Sequence, residues 1–352
     1  MAAALLEKAR IISYEDTDKV DRSKIYNRTL VLLDEAKKRG IRAGTARFFG
    51  RYNNHFFAEV GGRKNIFQGL PSADSFSKPE GLLVDDKAEA KKVMKSYQLP
   101  IAEGRHFWRL KPAQKYGAAL GFPLVVKPRW GSISRHVFID IRDENALLHA
   151  IRQVKKISPS FVVEKYLAQC EVYRATLVNF KLGGVVKRIA ANVVGDGLHN
   201  VRQLVEIKNS DPRRGEPKQK DCTFLKIVAD ETSRRLLSGE GLNFDSVPQE
   251  GQRVFLQEKV ILDLGADLVE RSDVAHPDNI SLFERVAEIF GAKILGIDFL
   301  CKDIATSWRG QECAIIELNS LPFIDMHHFP LEGNPRNIAG MIWDMVEEEN
   351  KK

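Results

Sequence analysis

Apolar positions change rhythm along the chain, and the changes predict its elements. Ile25, Leu30, Leu33 and Ala36 recur at helical spacing, and Gly40 ends that helix as a left-handed stop. Arg42 to Phe49 and His55 to Val60 read as extended, and Gly61-Gly62 turns the chain into Asn65–Gln68 as a hairpin. The polar, turn-rich stretch from Leu70 to Pro79 predicts a lobe boundary. Beyond it, Asp86-x-x-Glu89 is a capping-box signal for a helix running to about Tyr97 and stopped by Pro100. Two short apolar strands, Leu124–Lys127 and Val137–Ile141, flank the turn Gly131–His136. An amphipathic helix from Asn145 to Ile157 and a strand at Phe161–Glu164 complete a β-turn-β-α-β sandwich.

The remainder is richer in strands. Glu171–Phe180 and Val185–Ala191 form an antiparallel pair turned at Gly183-Gly184. His199–Lys208 predicts a helix, and 209–222 a polar loop around Asp211-Pro212-Arg213-Arg214-Gly215. A helix from Asn279 stops at Gly291, followed by apolar strands at Ile294–Leu300 and Ala314–Leu318. A closing helix from Asn337 to Val346 packs Ile338, Met341, Ile342 and Met345. No repeat or low-complexity tract interrupts this mixed α/β pattern.

With 43% hydrophobic and 29% charged residues over 352 positions, burial can offset ordering entropy, so extensive disorder is excluded. No uncharged apolar run approaches the ~18–20 residues that cross a bilayer, and no basic region precedes the short apolar start. A membrane partner is therefore not expected. Cys170, Cys222, Cys301 and Cys313 have no zinc-finger or Cys-x-x-Cys spacing, which fits a reducing, cytoplasmic setting. The net charge of +7 favours anionic partners without choosing among nucleic acid, phosphates and acidic metabolites.

Four segments carry candidate chemistry. Lys127, at the exit of a buried strand, places a compact cation where a phosphate could sit. The Trp130–His136 turn offers backbone N–H groups and the Ser132 and Ser134 hydroxyls, although its spacing matches neither a Walker A loop nor Gly-x-Gly-x-x-Gly. Glu164-Lys165-Tyr166-Leu167 ends a strand whose backbone could pair with an adenine edge, and Glu171 could accept ribose hydroxyls. Finally, Asp298 and Glu317-x-Asn319 sit inside two apolar strands, where an unpaired carboxylate is costly. Three converging oxygen donors there suit Mg²⁺, with nucleotide phosphates completing the octahedron.

Taken in order, Asp86-Lys87, Val126-Lys127-Pro128, the serine-bearing loop, Glu164–Leu167 with Glu171, Asp298 and Glu317-x-Asn319 resemble the ATP-grasp ligases over about residues 82–346. Val194–Leu204, Asp211–Gly215, Val247-Pro248, His276-Pro277 and Met326-His327 through Arg336 resemble the ATP-grasp domain of cyanophycin synthetases in particular. The resemblance implies an α/β (α+β) ATP-grasp fold. Its two subdomains clasp ATP at 82–168 and 169–352, after a small pre-ATP-grasp-like lobe at 1–81. It also implies a cytoplasmic enzyme that transfers the γ-phosphoryl of ATP to a carboxylate, so that an amine can displace phosphate from the acyl phosphate. The substrates would be amino acids or short acidic peptides, and the metal Mg²⁺, with Mn²⁺ as a substitute.

By position, Lys87 and Lys127 would contact phosphates, Glu164 to Leu167 adenine, and Glu171 the ribose. Asp298, Glu317 and Asn319 would hold the metal. Arg174, Arg188 and His199 would line the catalytic, phosphate and substrate side, and His327, His328 and Arg336 a substrate carboxylate. Related ligases are often dimers or tetramers, which leaves room for a homo-oligomer. The loop at 131–136 carries less glycine than the family's flexible loop. No Mur-ligase-like domain follows within these residues, so polymer synthesis by this chain alone is not expected. A glutathione-type or D-alanyl-type ligase stays open, as does a non-catalytic nucleotide- or nucleic-acid-binding protein using Arg213, Arg214, Lys218 and Lys220.

Overall fold

A computed structural model describes residues 11–70, 83–130 and 136–351. The chain forms two compact units, each assembled from separated segments. The first takes the residues before 74, Arg188–Glu270, and those from Phe323 onward; the second takes Asp74–Lys187 and Arg271–Pro322.

The first unit begins with β1 (Ile12–Asp16), α1 (Asn27–Lys38), β2 (Ala43–Phe48), β3 (Arg51–Val60) and β4 (Arg63–Gln68), and the strands form one antiparallel sheet in the order β1-β2-β3-β4. The expected helix and hairpin are both present. β1 has no expected counterpart, because Ile-Ser-Tyr-Glu-Asp shows a single strong apolar position and only Ile12 of the five is buried.

The second unit then opens with α2 (Lys87–Ser96), β5 (Gly104–Phe107), α3 (Leu110–Leu120), β6 (Leu124–Pro128), β7 (Phe138–Ile141), α4 (Glu144–Lys155) and β8 (Phe161–Lys165). Asp86 caps α2 by accepting from the amides of Ala88 and Glu89. The sheet order is β5-β8-β6-β7. Ala113, Leu124, Val126, Leu147, Ile151, Val154, Phe161 and Val163 share one core between this sheet and α3 and α4. Helix α3 eluded the sequence pattern because Pro112 and Gly117 read as breakers. Pro112 lies in the first turn, where its missing N–H costs nothing. At Gly117 an added Cβ would lie 2.6 Å from a methyl of Leu147, so the glycine is what lets α4 approach.

Strands β9 (Glu171–Val178) and β10 (Lys181–Ile189) follow. Their turn is at Asn179-Phe180, where φ is +48° and +63°, and Gly183-Gly184 lies inside β10 instead. Asparagine tolerates the left-handed region that such a two-residue turn demands, so the glycines were not needed there.

Back in the first unit come β11 (Asn192–Val194), α5 (Val201–Asn209), β12 (Arg214–Gly215), β13 (Phe224–Leu225), α6 (Glu231–Gly239), β14 (Arg253–Phe255) and β15 (Asp267–Glu270). Helix α5 starts two residues later than expected because Asn200 and Gln203 form a reciprocal capping box. Within the expected loop 209–222, β12 pairs in parallel with β13.

The second unit is completed by α7 (Pro277–Ile289), β16 (Ile294–Cys301) and β17 (Cys313–Asn319), with strands running β10-β9-β16-β17. Its core holds Tyr173, Leu177, Phe283, Phe290, Leu295, Ile297 and Phe299, with Met94 of α2. The first unit ends with α8 (Asp325–His328) and α9 (Ile338–Asn350). Among the described residues no helix is long and apolar enough to cross a membrane.

Candidate active site

Lys87, Lys127, Glu164, Lys165, Tyr166, Leu167, Glu171, Arg174, Asp298, Glu317 and Asn319 all belong to the second unit. Arg188, His199, His327, His328 and Arg336 belong to the first. Ser132 and Ser134 lie outside the described residues.

The antiparallel register of β16 and β17 sets Asp298 directly opposite Glu317 and Gly296 opposite Asn319. Directly opposed side chains share a face, and Glu317 and Asn319, two residues apart, share it too. Two carboxylates so placed need compensation. On the other side of Asp298, β9 supplies Arg174 as its cross-strand partner, and the Arg174 Nε donates to Asp298 Oδ1 at 2.5 Å. Burial works against the Arg174 charge, but Asp298 and then Glu317 keep the guanidinium above its ordinary pKa. The Lys87 ammonium lies 3.3 Å from Glu317 Oε1. Asn319 Nδ2 is buried with no hydrogen-bond partner among the described residues, a polar group awaiting a ligand. The Asp298 and Glu317 carboxylates with the Asn319 Oδ1 beside them are hard oxygen donors of the kind that could hold Mg²⁺. Among the described residues no three His, Cys, Asp or Glu side chains gather as ligands.

Beside it is a small cleft lined by Lys87, Lys91, Lys127, Glu164 and Glu317 over apolar residues including Met94, Val162 and Ile316. Lys87 and Lys91 are four apart on α2 and therefore share a face. Val125 pairs with Glu164, so Lys127 sits diagonally beside it on the same face of β6 and β8. Glu164, 2% exposed, pairs with Lys127 through one oxygen and with Lys91 through the other at 2.6 Å. Burial alone would raise the Glu164 pKa, but Lys127 and Lys91 together hold it down to about 2. Lys127 also donates to the carbonyl of Ile316 at 3.2 Å. Across from Glu164 stands Gly104, where a Cβ would come within 2.4 Å of the Glu164 Cβ, so only glycine lets β5 approach here.

Three residues that the sequence pattern did not single out hold this corner together. Lys91 is one. Arg129 grips Asp86 through two nitrogens and reaches Glu89, bracing the cap of α2. Asp85 accepts from the amide and the hydroxyl of Ser320, at 3.0 and 2.6 Å, just beyond Asn319. On an amphipathic helix nothing in the sequence sets Lys91 apart from a solvated lysine, and the other two depend on residues far apart in sequence.

Other expected residues are engaged structurally. Lys165 turns back to the carbonyls of Gly121 and Phe122, each at 3.0 Å, and the amides of Lys165 and Tyr166 donate to Glu103 and Pro123. Leu167 is buried with Ala102 and Ala314. Glu171 is exposed and pairs with Lys187 at 3.1 Å.

In the first unit, His199 Nδ1 lies 2.7 Å from Asp196, and Arg188 is partly buried on β10. His327 and His328, expected to bind a substrate carboxylate, are found in α8 with architectural partners. His327 is fully buried, with Nδ1 3.0 Å from Glu270. His328 Nε2 accepts from the amide of Ala339 in the first turn of α9. Arg336 lies on the segment joining the two helices, and its amide donates to the carbonyl of His327. In the basic loop the two arginines are engaged, while Lys218 stays exposed. Arg213 is bound to Asp211 and the Leu331 carbonyl, and buried Arg214 pairs with Asp267.

The His328 contact carries a pH consequence. Burial, and next the neighbouring His327, lower its pKa from 6.5 to about 4, and the Nε2 that accepts from Ala339 is correspondingly the unprotonated nitrogen. The unfolded chain therefore binds the proton first, so stability is full above about pH 6.5 and falls as pH drops toward 4. We expect urea melts to lose on the order of 2 kcal/mol across that window, and His328→Gln to remove most of the loss. Equal pH slopes in both proteins would refute the assignment.

No family model matches the chain. Over 267 residues it is 34% identical to a cyanophycin synthetase of Trichormus variabilis, which takes in 75% of this chain and 29% of that protein. It is 31% identical over 274 residues to a glutathione biosynthesis bifunctional protein of Listeria innocua, covering 76% of this chain and 34% of the other. Among solved structures, a bifunctional glutathione synthetase from Pasteurella multocida has the same fold, with a TM-score of 0.70 over 93% of this chain and 44% of that one at 24% identity. The chain thus spans about a third of the length of the curated relatives it matches. It shares the fold of that glutathione synthetase and is related, over about three quarters of its own length, to cyanophycin synthetases and glutathione biosynthesis proteins.

Proposed function

We propose that this chain is an ATP-dependent carboxylate–amine ligase that forms an amide bond on an amino acid or a short acidic peptide. The observation that carries the reading is the cross-strand pair Asp298 and Glu317 beside a cleft lined by Lys87, Lys91 and Lys127. A carboxylate resists attack because it already bears negative charge, so it must first become a better electrophile. Its oxygen attacks the γ-phosphorus of ATP, the bond to the β-bridging oxygen breaks, and ADP leaves. An amine nitrogen then attacks the acyl carbon, sheds a proton to solvent, and expels phosphate. Because the phosphoryl group is already activated, the protein needs mainly to position and to neutralise charge.

In this reading Lys87 and Lys127 face phosphates, the Glu164–Leu167 segment faces adenine and Glu171 the ribose. Asp298, Glu317 and Asn319 hold Mg²⁺, which supplies charge neutralisation at the phosphates when bound. Arg174 acts as a positioning residue, since it fixes the Asp298 carboxylate. Arg188, His199 and Arg336 remain assigned to the substrate side. His327 and His328 are left out of it because of their burial against Glu270 and their contact with α9.

The test is an ADP-release assay across pairs of amino acids and short acidic peptides, with mass spectrometry of the products. Release that needs both Mg²⁺ and an amine, with a product lighter by one water than the two substrates together, supports the reading. A chain that binds nucleic acid with a steep salt dependence and releases no ADP would replace it. A glutathione-type acid in place of an amino acid would change the substrate and keep the chemistry.

A further inference from the structure

The cleft presents an electrostatic difficulty. A lysine meant to meet a phosphate gains nothing if a buried carboxylate already consumes its charge, and Lys127 is paired with Glu164 at close range. At 3% side-chain exposure, Glu164 cannot shed its charge into water. Lys91 alters the balance. Its ammonium takes the second oxygen of the same carboxylate, with its side chain 14% exposed. Three ammonium groups, Lys87, Lys91 and Lys127, then face two carboxylates, Glu164 and Glu317, leaving the cleft net positive. Without Lys91 it would be neutral, and an incoming phosphate would have to compete with Glu164 for Lys127.

We infer that Lys91 is a positioning residue that neutralises Glu164, and so releases the Lys127 charge for an anionic phosphate of the nucleotide. The inference rests on the nucleotide-site reading above. Geometry gives the sequence of events: the two lysines share Glu164 when no phosphate is present, and Lys91 keeps the carboxylate paired once Lys127 turns to the ligand. The buried environment supports this, since burial pushes the Lys91 ammonium below its ordinary pKa while Glu164 holds it charged. A carboxylate this buried could not be left with no partner, because an uncompensated interior charge is among the most costly defects a fold can carry.

The test is calorimetric binding of ADP with Mg²⁺ to the whole chain and to four variants. Lys91→Met should weaken binding by about tenfold or more, because Glu164 then reclaims Lys127. Lys91→Met with Glu164→Gln should return to within about threefold of wild type, since neither charge remains to be balanced. Lys91→Arg should also stay within about threefold. Glu164→Gln changes only the side chain that pairs with Lys127 and Lys91. It leaves in place the strand backbone read as facing adenine, so by itself it should bind at least as tightly as wild type. If Lys91→Met does not fold, the last three still decide the matter, because the double variant carries no unbalanced charge. Wild-type affinity in Lys91→Met, no recovery in the double variant, or weakened binding in Glu164→Gln would each overturn the inference. A wild-type chain that binds no adenine nucleotide would bring down the nucleotide-site reading, and this inference with it.

Discussion

Glu317→Ala is expected to abolish Mg²⁺- and amine-dependent ADP release, by about a thousandfold or more, with the fold intact. Glu317 is the middle donor of the set: opposite Asp298 across the strand pair and two residues before Asn319. Its removal leaves Lys87 facing an empty position and the metal with one carboxylate. Its side chain keeps 25% exposure, so water can enter and the thermal unfolding midpoint should hardly move. Asp298→Asn should be as inactive for a second reason. It also strips the buried Arg174 guanidinium of its charge partner, so this variant should lose stability as well as activity. Comparing the two separates the metal's contribution from that of the buried ion pair. Full turnover in Glu317→Ala would end the metal assignment.

Trp343→Ala carries the largest expected cost in stability, about 3–5 kcal/mol. The indole is fully buried in the first unit, its Nε1 donates to the Leu32 carbonyl of α1 at 2.9 Å, and its ring meets Phe56 of β3 edge-on with centroids 6.5 Å apart. Truncation opens a large cavity and deletes a buried hydrogen bond where the last helix joins the first lobe. Urea denaturation followed by circular dichroism would measure it, and Trp343→Phe, which keeps most of the volume, should cost less than half as much. A loss below about 1 kcal/mol in Trp343→Ala would mean that the joint is not sustained by this residue.

The same helix shows how far a one-dimensional pattern reaches. Its apolar spacing selected Ile338, Met341, Ile342 and Met345 as the packed face. The structure buries Ile338, Ala339, Gly340, Ile342, Trp343, Met345 and Val346, with Met341 only partly covered. A helix packed on one side shows a stripe, whereas one flanked by several elements is buried around most of its circumference, and the stripe no longer marks the contact. The hairpin turn behaved likewise. The Gly183-Gly184 pair was the obvious turn signal, yet Asn179-Phe180 takes the left-handed conformation between the end of β9 at Val178 and the start of β10 at Lys181.

At the candidate site, Lys127, Asp298, Glu317 and Asn319 were legible because each sets a polar group in or at the end of an apolar strand, an anomaly that burial cost makes informative. Lys91 was not. Between Ala90 and Lys92 on an amphipathic helix it resembles any solvated lysine, and only the fold shows that it points at Glu164. Arg129 and Asp85 were invisible for a related reason: their partners are Asp86 and Ser320, 43 and 235 residues away. His327 misled in the opposite sense, since a histidine pair near the end of a loop-like stretch suggests a ligand, while its actual partner is Glu270.

By itself, then, the order of residues determined most of the local elements, the carboxylates that had to find cations or a metal, and the resemblance to the ATP-grasp ligases. Periodicity, capping and burial cost all act over a few neighbouring positions. The tertiary structure alone decided how five stretches of chain are shared between two units, which lysine meets which carboxylate, and which histidines serve packing. Coulombic and packing energies depend on distance in space, and distance in space is fixed only when the strands have found their register.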